Sequence, residues 1–451
     1  MATREVPTLP GPLAPAEGVI HLGEVVRMPL DREQAWGYFV DSPRSGDELD
    51  TFGVTVDGWV LGRRAAARAV ELLHGEQVLA RADVNVRRPD IARAFPHVGG
   101  AERSGFRLAA GLLTADGTFE LLVRAELEDG TVVPVATIAG AREPLRTGFR
   151  PKVQPLLVTT LGRTGSTWLM QLLEQHPAVV AYRPFMYEPR LLSYWLEVIR
   201  ELSEPASYLQ SLRADLSGEH WWLGDRRPSA LPPLSADPPI RRWLGDTAVR
   251  SLAAFSQARI EEFYLEVARV QGRELPRYYA EKCWPDHFAP VMMWELFPDA
   301  REVLLVRDFR DIVCSVLAFN RKLGYRAFGR ELVETDGEFV RQLRESAVRM
   351  LDSWRARADR SLLLRYEDLI TRPGETLSGL FSYLGIDARA GTVDDVVRAA
   401  TAAQPDVQLA HQTSADVRSS IGRWRRDLDE ELQAECETAF GDVLEAFGYE
   451  R

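Results

Sequence analysis

The apolar pattern divides the chain into two parts. In residues 19–142 apolar and β-branched residues come in short runs, at 52–61, 77–80, 84–86, 106–108, 119–125 and 132–136. Asp116-Gly117 and Asp129-Gly130 fall between runs as hairpin-turn dipeptides. This predicts a small antiparallel β-sandwich, preceded by a Pro-rich lead-in over residues 1–18 and followed by a Pro/Arg linker over 143–154. From 155 to 451 short apolar runs alternate with helical spacing, the mark of an α/β domain with a parallel sheet. Three helical faces stand out: Leu252, Phe255, Phe263 and Val267 after a cap at Asp246 or Thr247; Phe339, Leu343, Ala347, Met350 and Trp354; and Leu428, Leu432, Phe440, Val443 and Phe447. All three read as core faces. Residues 203–239, with paired Trp and Pro, lack periodicity and read as a substrate-side loop.

Two junctions in the α/β part carry chemistry. Residues 156–166 read LLVTTLGRTGS, and Trp168, Leu169, Leu172 and Leu173 then follow with helical spacing. A strand, a glycine-containing turn and a helix start together aim backbone N–H groups at one point, which suits an anion, phosphate above all. Arg163 and the hydroxyls of Thr164, Ser166 and Thr167 add donors, while Gly162 and Gly165 permit close approach. The nucleotide-triphosphate loop pattern does not fit. Its glycines are farther apart, no Lys precedes Ser166, and no acidic strand end is evident for Mg²⁺. The loop therefore reads as one for a phosphate or sulfate ester held without a metal. At the second junction Val303, Leu304, Leu305 and Val306 form a continuous apolar run, expected of a buried parallel strand. Arg307 follows, then a helix with Ile312, Val313, Val316 and Leu317 and with Ser315 on its early turns. Open α/β sheets bind ligands beyond the carboxyl ends of their strands, so Arg307 is placed to meet a second phosphate.

Together these pieces resemble the sulfotransferases whose donor is 3′-phosphoadenosine 5′-phosphosulfate (PAPS). Arg163, Thr164, Gly165, Ser166, Thr167 and Trp168 match the family's 5′-phosphosulfate loop; Arg307, Asp308, Phe309, Arg310, Asp311 and Ser315 match its 3′-phosphate motif, with Phe309 where the family has Pro. Leu364 to Leu369 with Arg372-Pro373 looks like the family's "RYEDL" strand and turn, and Ile421 to Arg425 like its late "G-x-W-[KR]" loop that closes over the nucleotide. The likeness runs from about Pro155 to Tyr449 and implies a P-loop-like sheet flanked by helices. It implies donor contacts from the residues of the first loop and from Arg307, Ser315, Tyr366, Arg423 and Trp424. Residues 19–142, with DGWV at 57–60 and RPDIARAFP at 88–96 as their marks, look like a β-domain found beside bacterial sugar-active transferases. Packing or dimerisation is the favoured role for that domain, and acceptor binding the competing one.

Sulfuryl transfer needs cations where charge develops on the leaving group, and a base for the acceptor proton. Lys282, after the expected strand at 278–280, is the candidate for the leaving group. Glu188, in a Tyr-Glu-Pro triplet that carbohydrate sulfotransferases often carry, is the first candidate base; pairing with Arg183 or Arg190 is its alternative role. His287 is second, at a spacing from Lys282 that departs from the small-molecule sulfotransferases. His176 reads as a helix stop, and His411 has no supporting context. The expected acceptor is a hydroxyl of a sugar, glycolipid or glycosylated natural product; the alternatives are a phenolic or other non-sugar hydroxyl, or an ATP-dependent P-loop phosphotransferase.

Composition narrows this further. A net charge of −11 argues against general nucleic-acid binding, and the local cluster Arg418, Arg423, Arg425 and Arg426 suits an anionic ligand. Three well-separated cysteines give neither a disulfide framework nor a zinc spacing. With no signal peptide or membrane-length apolar run, and with an Arg- and Ala-rich composition, a bacterial cytoplasmic enzyme that needs no metal is expected.

Overall fold

The computed structural model describes residues 19–184, 187–203, 239, 243–403, 413–414 and 416–450. The lead-in over 1–18, nearly all of the expected substrate-side loop, Phe185-Met186 and His411 lie outside the described residues. The chain divides into two compact units. One takes the residues up to Phe149 together with Leu196–Gln257; the other takes Arg150–Trp195 together with the chain from Ala258 onward.

The first unit holds two antiparallel sheets. Strands β1 (Ile20–Arg27), β3 (Glu48–Leu49), β5 (Ala67–His74), β6 (Gln77–Asp83), β8 (Thr118–Leu127) and β9 (Val132–Arg142) form one, in the order β3-β1-β9-β8-β5-β6. Strands β2 (Ala35–Ser42), β4 (Gly53–Gly62) and β7 (Gly105–Gly111) form the other. Alternation sets the faces: Phe119, Leu121, Val123, Ala125 and Leu127 of β8 are buried and their neighbours less so. Asp129-Gly130 does join a paired hairpin, β8 to β9. Asp116-Gly117 does not, because β7 and β8 belong to different sheets. Residues 84–86 contribute only an isolated bridge, Val86 to Gly105, and the short helix α1 (Pro89–Ala94) follows.

The second unit is built on a five-stranded parallel sheet: β10 (Gln154–Thr160), β11 (Val179–Val180), β12 (Tyr278–Cys283), β13 (Arg301–Val306) and β14 (Leu362–Arg365), in the order β11-β12-β10-β13-β14. Both faces are covered, which explains the unbroken apolar runs. Val303 and Leu305 join a core with the helix α2 (Ser166–Gln175), whereas Leu304 and Val306 join another with the helices Phe309–Leu323, Asp336–Arg357 and Glu430–Ala446. The helix Asp336–Arg357 starts with a capping box between Thr335 and Glu338, and Asp429 caps Glu430–Ala446 by accepting from Leu432 N–H at 2.9 Å. The expected "RYEDL" strand stops at Arg365, and Tyr366 opens a short helix, Tyr366–Thr371. Four strand ends thus converge on one edge: β10 runs into the glycine loop, β12 ends at Lys282 and Cys283, β13 leads to Arg307, and β14 to Tyr366.

Candidate functional site

The loop between β10 and α2 is held from within. Thr164 is 1 % exposed; its hydroxyl donates to the Leu161 carbonyl at 2.9 Å and meets the Thr160 hydroxyl. That hydroxyl tightens the turn and does not line the cavity. Gly165, at φ +87°, is the residue before the helix, and a side chain there would run into the Tyr366 ring. Glycine is thus needed for both conformation and space. Ser166, Thr167 and Trp168, on the first turn of α2, line the cavity. Arg163 also takes a positive φ, 68°. That turns its guanidinium over the Phe319 ring, 4.5 Å from the centroid, with Nε donating to Ser315 Oγ at 3.1 Å. Burial, and then the charges of Arg307 and Arg423, push the Arg163 pKa down to about 10. Cations crowded to that degree suit an anion.

Arg307 is buried at the end of β13. It donates to the carbonyls of Arg163 at 3.1 Å and Ser420 at 2.7 Å, and its guanidinium lies 4.5 Å above the Tyr366 ring centre. Its Nε finds no partner among the described residues. The rest of the motif turns inward. Arg310 pairs with Asp308 at 2.8 Å, donates to the Glu450 carbonyl and sits 4.0 Å over Trp424. Asp311 accepts from Gly422 N–H at 2.7 Å and Trp424 N–H at 3.0 Å, and burial pushes its carboxyl up to about 6. Ser315 is buried beside Arg163 and lines the cavity. The motif thus has one outward arginine, while its remaining charges fasten the last part of the chain.

On the other side, Lys282 is 6 % exposed, not a solvated lysine. Its ammonium donates to Glu188 Oε1 at 2.6 Å and to the Thr167 hydroxyl at 3.3 Å. Burial lowers its pKa and Glu188 opposes that shift. Glu188 also faces Arg190 at 3.8 Å, while Arg183 pairs instead with the buried Glu174. His287, just ahead of the helix Phe288–Leu296, does not line the cavity. Trp424 and Arg423 are likewise outside the lining. Trp424 packs into the core under Arg310, and Arg423 pairs with Asp427 at 2.7 Å.

These groups surround one cavity of about 930 Å³. Its lining includes residues that no local signal marks: Phe328, Trp284 and Arg190, together with Thr413, Asp416, Val417 and Ser420. Phe328 is 41 % exposed, lies against Gly162 and has a positive φ of 61°. Of the basic cluster, Arg418 lines the cavity, held on a turn whose N–H groups Asp416 accepts at 2.9 and 3.1 Å. His176 ends α2, as expected, its ring tilted against Phe381 with centroids 4.7 Å apart.

A profile of the sulfotransferase family matches residues 155–390, more than half of the chain. The chain belongs to the sulfotransferase family. Over 167 residues it is 28 % identical to mouse carbohydrate sulfotransferase 3, covering 34 % of this chain and 34 % of that protein, so it spans about a third of that curated relative. Solved structures similar to this chain include the sulfotransferase domain of the curacin biosynthetic pathway (18 % identity, 66 % of this chain, 98 % of that one, TM-score 0.38). The sulfotransferase domain of the Synechococcus PCC 7002 olefin synthase is another (21 %, 68 %, 98 %, TM-score 0.39). Among the described residues no cluster of His, Cys, Asp or Glu could hold a metal ion, and no helix is long and apolar enough to cross a membrane.

Proposed function

We propose that the chain transfers a sulfuryl group from PAPS to a hydroxyl of a sugar, glycolipid or glycosylated natural product. The observation that carries the donor assignment is the unpartnered Nε of buried Arg307, in a cavity that Arg163, Arg418 and the start of α2 also line. A buried guanidinium short of a partner beside two more arginines suits a phosphate. When bound, the donor supplies an activated sulfuryl group on its 5′-phosphate. In this reading the loop of residues 162–167 is P-loop-like and holds the 5′ end, while Arg307, Ser315 and Arg418 hold the 3′-phosphate. Tyr366, fixed by its hydroxyl against Ser420 at 3.0 Å, sets the height of Arg307.

Lys282 neutralises charge on the leaving phosphate and Glu188 takes the proton of the acceptor hydroxyl. Their 2.6 Å contact keeps the carboxylate oriented until the acceptor arrives. The sugar acceptor rests on the similarity to carbohydrate sulfotransferase 3. Calorimetric titration with 3′-phosphoadenosine 5′-phosphate and, separately, with ATP and Mg²⁺ tests the donor. Micromolar binding of the first, weakened by roughly 10- to 100-fold in Arg307→Ala, is the expected result and leads to an acceptor screen with labelled PAPS. Binding of ATP–Mg²⁺ alone would replace this reading with a phosphotransferase.

A further inference from the structure

Behind the Lys282–Glu188 pair lies a buried carboxylate to which the chemistry above gives no task. Glu281 precedes Lys282 on β12, so the two side chains leave opposite faces of the strand. Glu281 is 1 % exposed. It accepts the backbone N–H of Leu191 at 3.1 Å and that of Leu192 at 3.0 Å, and the Tyr264 hydroxyl at 3.4 Å. Tyr264 is itself fixed by stacking on Tyr279, with centroids 4.1 Å apart and planes at 8°. Leu191 and Leu192 open the helix Leu191–Ser203, where N–H groups have no acceptor within the helix and a carboxylate is favoured.

Only Pro189 and Arg190 separate Glu188 from that helix start. One strand therefore holds both ends of a short segment. Lys282 grips the Glu188 carboxylate, and Glu281 grips the backbone a few residues later. Pro189 stiffens the link between the two grips. Burial disfavours the ionised form of Glu281 and pushes its pKa up to about 8. An apolar residue would join strand to helix without that burden, but it would leave the two N–H groups without their acceptor.

We propose that Glu281 is a positioning residue for Glu188: by anchoring the first turn of the following helix, it keeps the Glu188 carboxylate on the Lys282 ammonium at the cavity wall. Its importance for turnover rests on the reading of Glu188 as the base; the anchoring itself is measurable without an acceptor. The chain has three lysines, Lys152, Lys282 and Lys322, so trace acetylation with acetic anhydride, read by peptide mass spectrometry, follows Lys282 alone. Glu188 opposes the lowering of the Lys282 pKa, so losing that carboxylate raises the share of neutral, reactive amine.

In the full chain at pH 8, Glu188→Gln and Glu281→Ala should each raise Lys282 acetylation relative to Lys322 by roughly fivefold. The double variant should go no higher than Glu188→Gln alone, since one substitution acts through the other. Glu281→Gln, which keeps an acceptor oxygen, should fall between wild type and Glu281→Ala, and it carries the cycle if the alanine variant does not fold. Wild-type acetylation in both Glu281 variants, or a double variant equal to the product of the singles, overturns the proposal. The same preparations are titrated with 3′-phosphoadenosine 5′-phosphate. Failure of the wild type to bind would overturn the donor reading and leave the labelling result standing. Unchanged binding with no labelling effect would overturn the positioning role alone.

Discussion

The two sides of the cavity treat charge differently. On the side of Arg307 the guanidinium donates to the carbonyls of Arg163 and Ser420, and one nitrogen is left over. On the side of Lys282 the cation already has its carboxylate, Glu188, at 2.6 Å. A buried cation held by neutral acceptors gains most when an anion arrives. A cation already paired gains little, and its pair is better suited to moving a proton. This contrast fits the proposed division, a charged donor on the first side and a neutral hydroxyl on the second.

The sharpest way to break this contrast is to remove each side in turn. Glu188→Gln should lower sulfuryl transfer from labelled PAPS by about 10² to 10⁴-fold, with the affinity for 3′-phosphoadenosine 5′-phosphate unchanged. Equal loss of binding would erase the division of labour. Arg307→Ala should weaken nucleotide binding by roughly 10- to 100-fold, the worth of a charged hydrogen bond, as read by calorimetry. Gly165→Ala forces a side chain into the Tyr366 ring at a left-handed φ. It should lower the unfolding free energy by about 1–3 kcal/mol and weaken nucleotide binding as the loop shifts.

The smallest effects concern groups outside the cavity. Glu281 has a folded pKa raised to about 8, so the fold favours its protonated form. That stabilisation is complete below the usual carboxylate range and is lost as pH rises through 8. The thermal midpoint of the wild type should therefore fall between pH 5 and 8, and Glu281→Gln should flatten that fall. His287→Ala should leave transfer within about twofold, because the residue does not line the cavity.

What was legible in the chain was what is local. The apolar run into Gly162–Ser166 and the run ending at Arg307 each place backbone and side chain within one strand–helix junction, and both junctions formed as read. The contact of Lys282 with Glu188 depends on the loop after α2 folding back over β12, which no spacing encodes; only the family likeness singled out the two residues. At two positions that match the family motifs the side chain faces inward, Thr164 closing the turn and Trp424 filling the core. Phe328 was invisible because its role comes from a positive φ and from packing on Gly162, neither of which its neighbours in sequence announce. The crossover at Asp116-Gly117 shows the same limit, since a turn dipeptide does not say whether the next strand stays in the same sheet.

Phe309 stands where the family motif has proline, and its ring stacks on Phe440 at 5.5 Å and lies 6.2 Å from Phe447. A turn that proline would stiffen by its own ring is here stiffened by two aromatics from more than a hundred residues later. Truncating either distal ring therefore removes the packing that stands in for proline at this turn, two residues from Arg307, although none of the three aromatics lines the cavity.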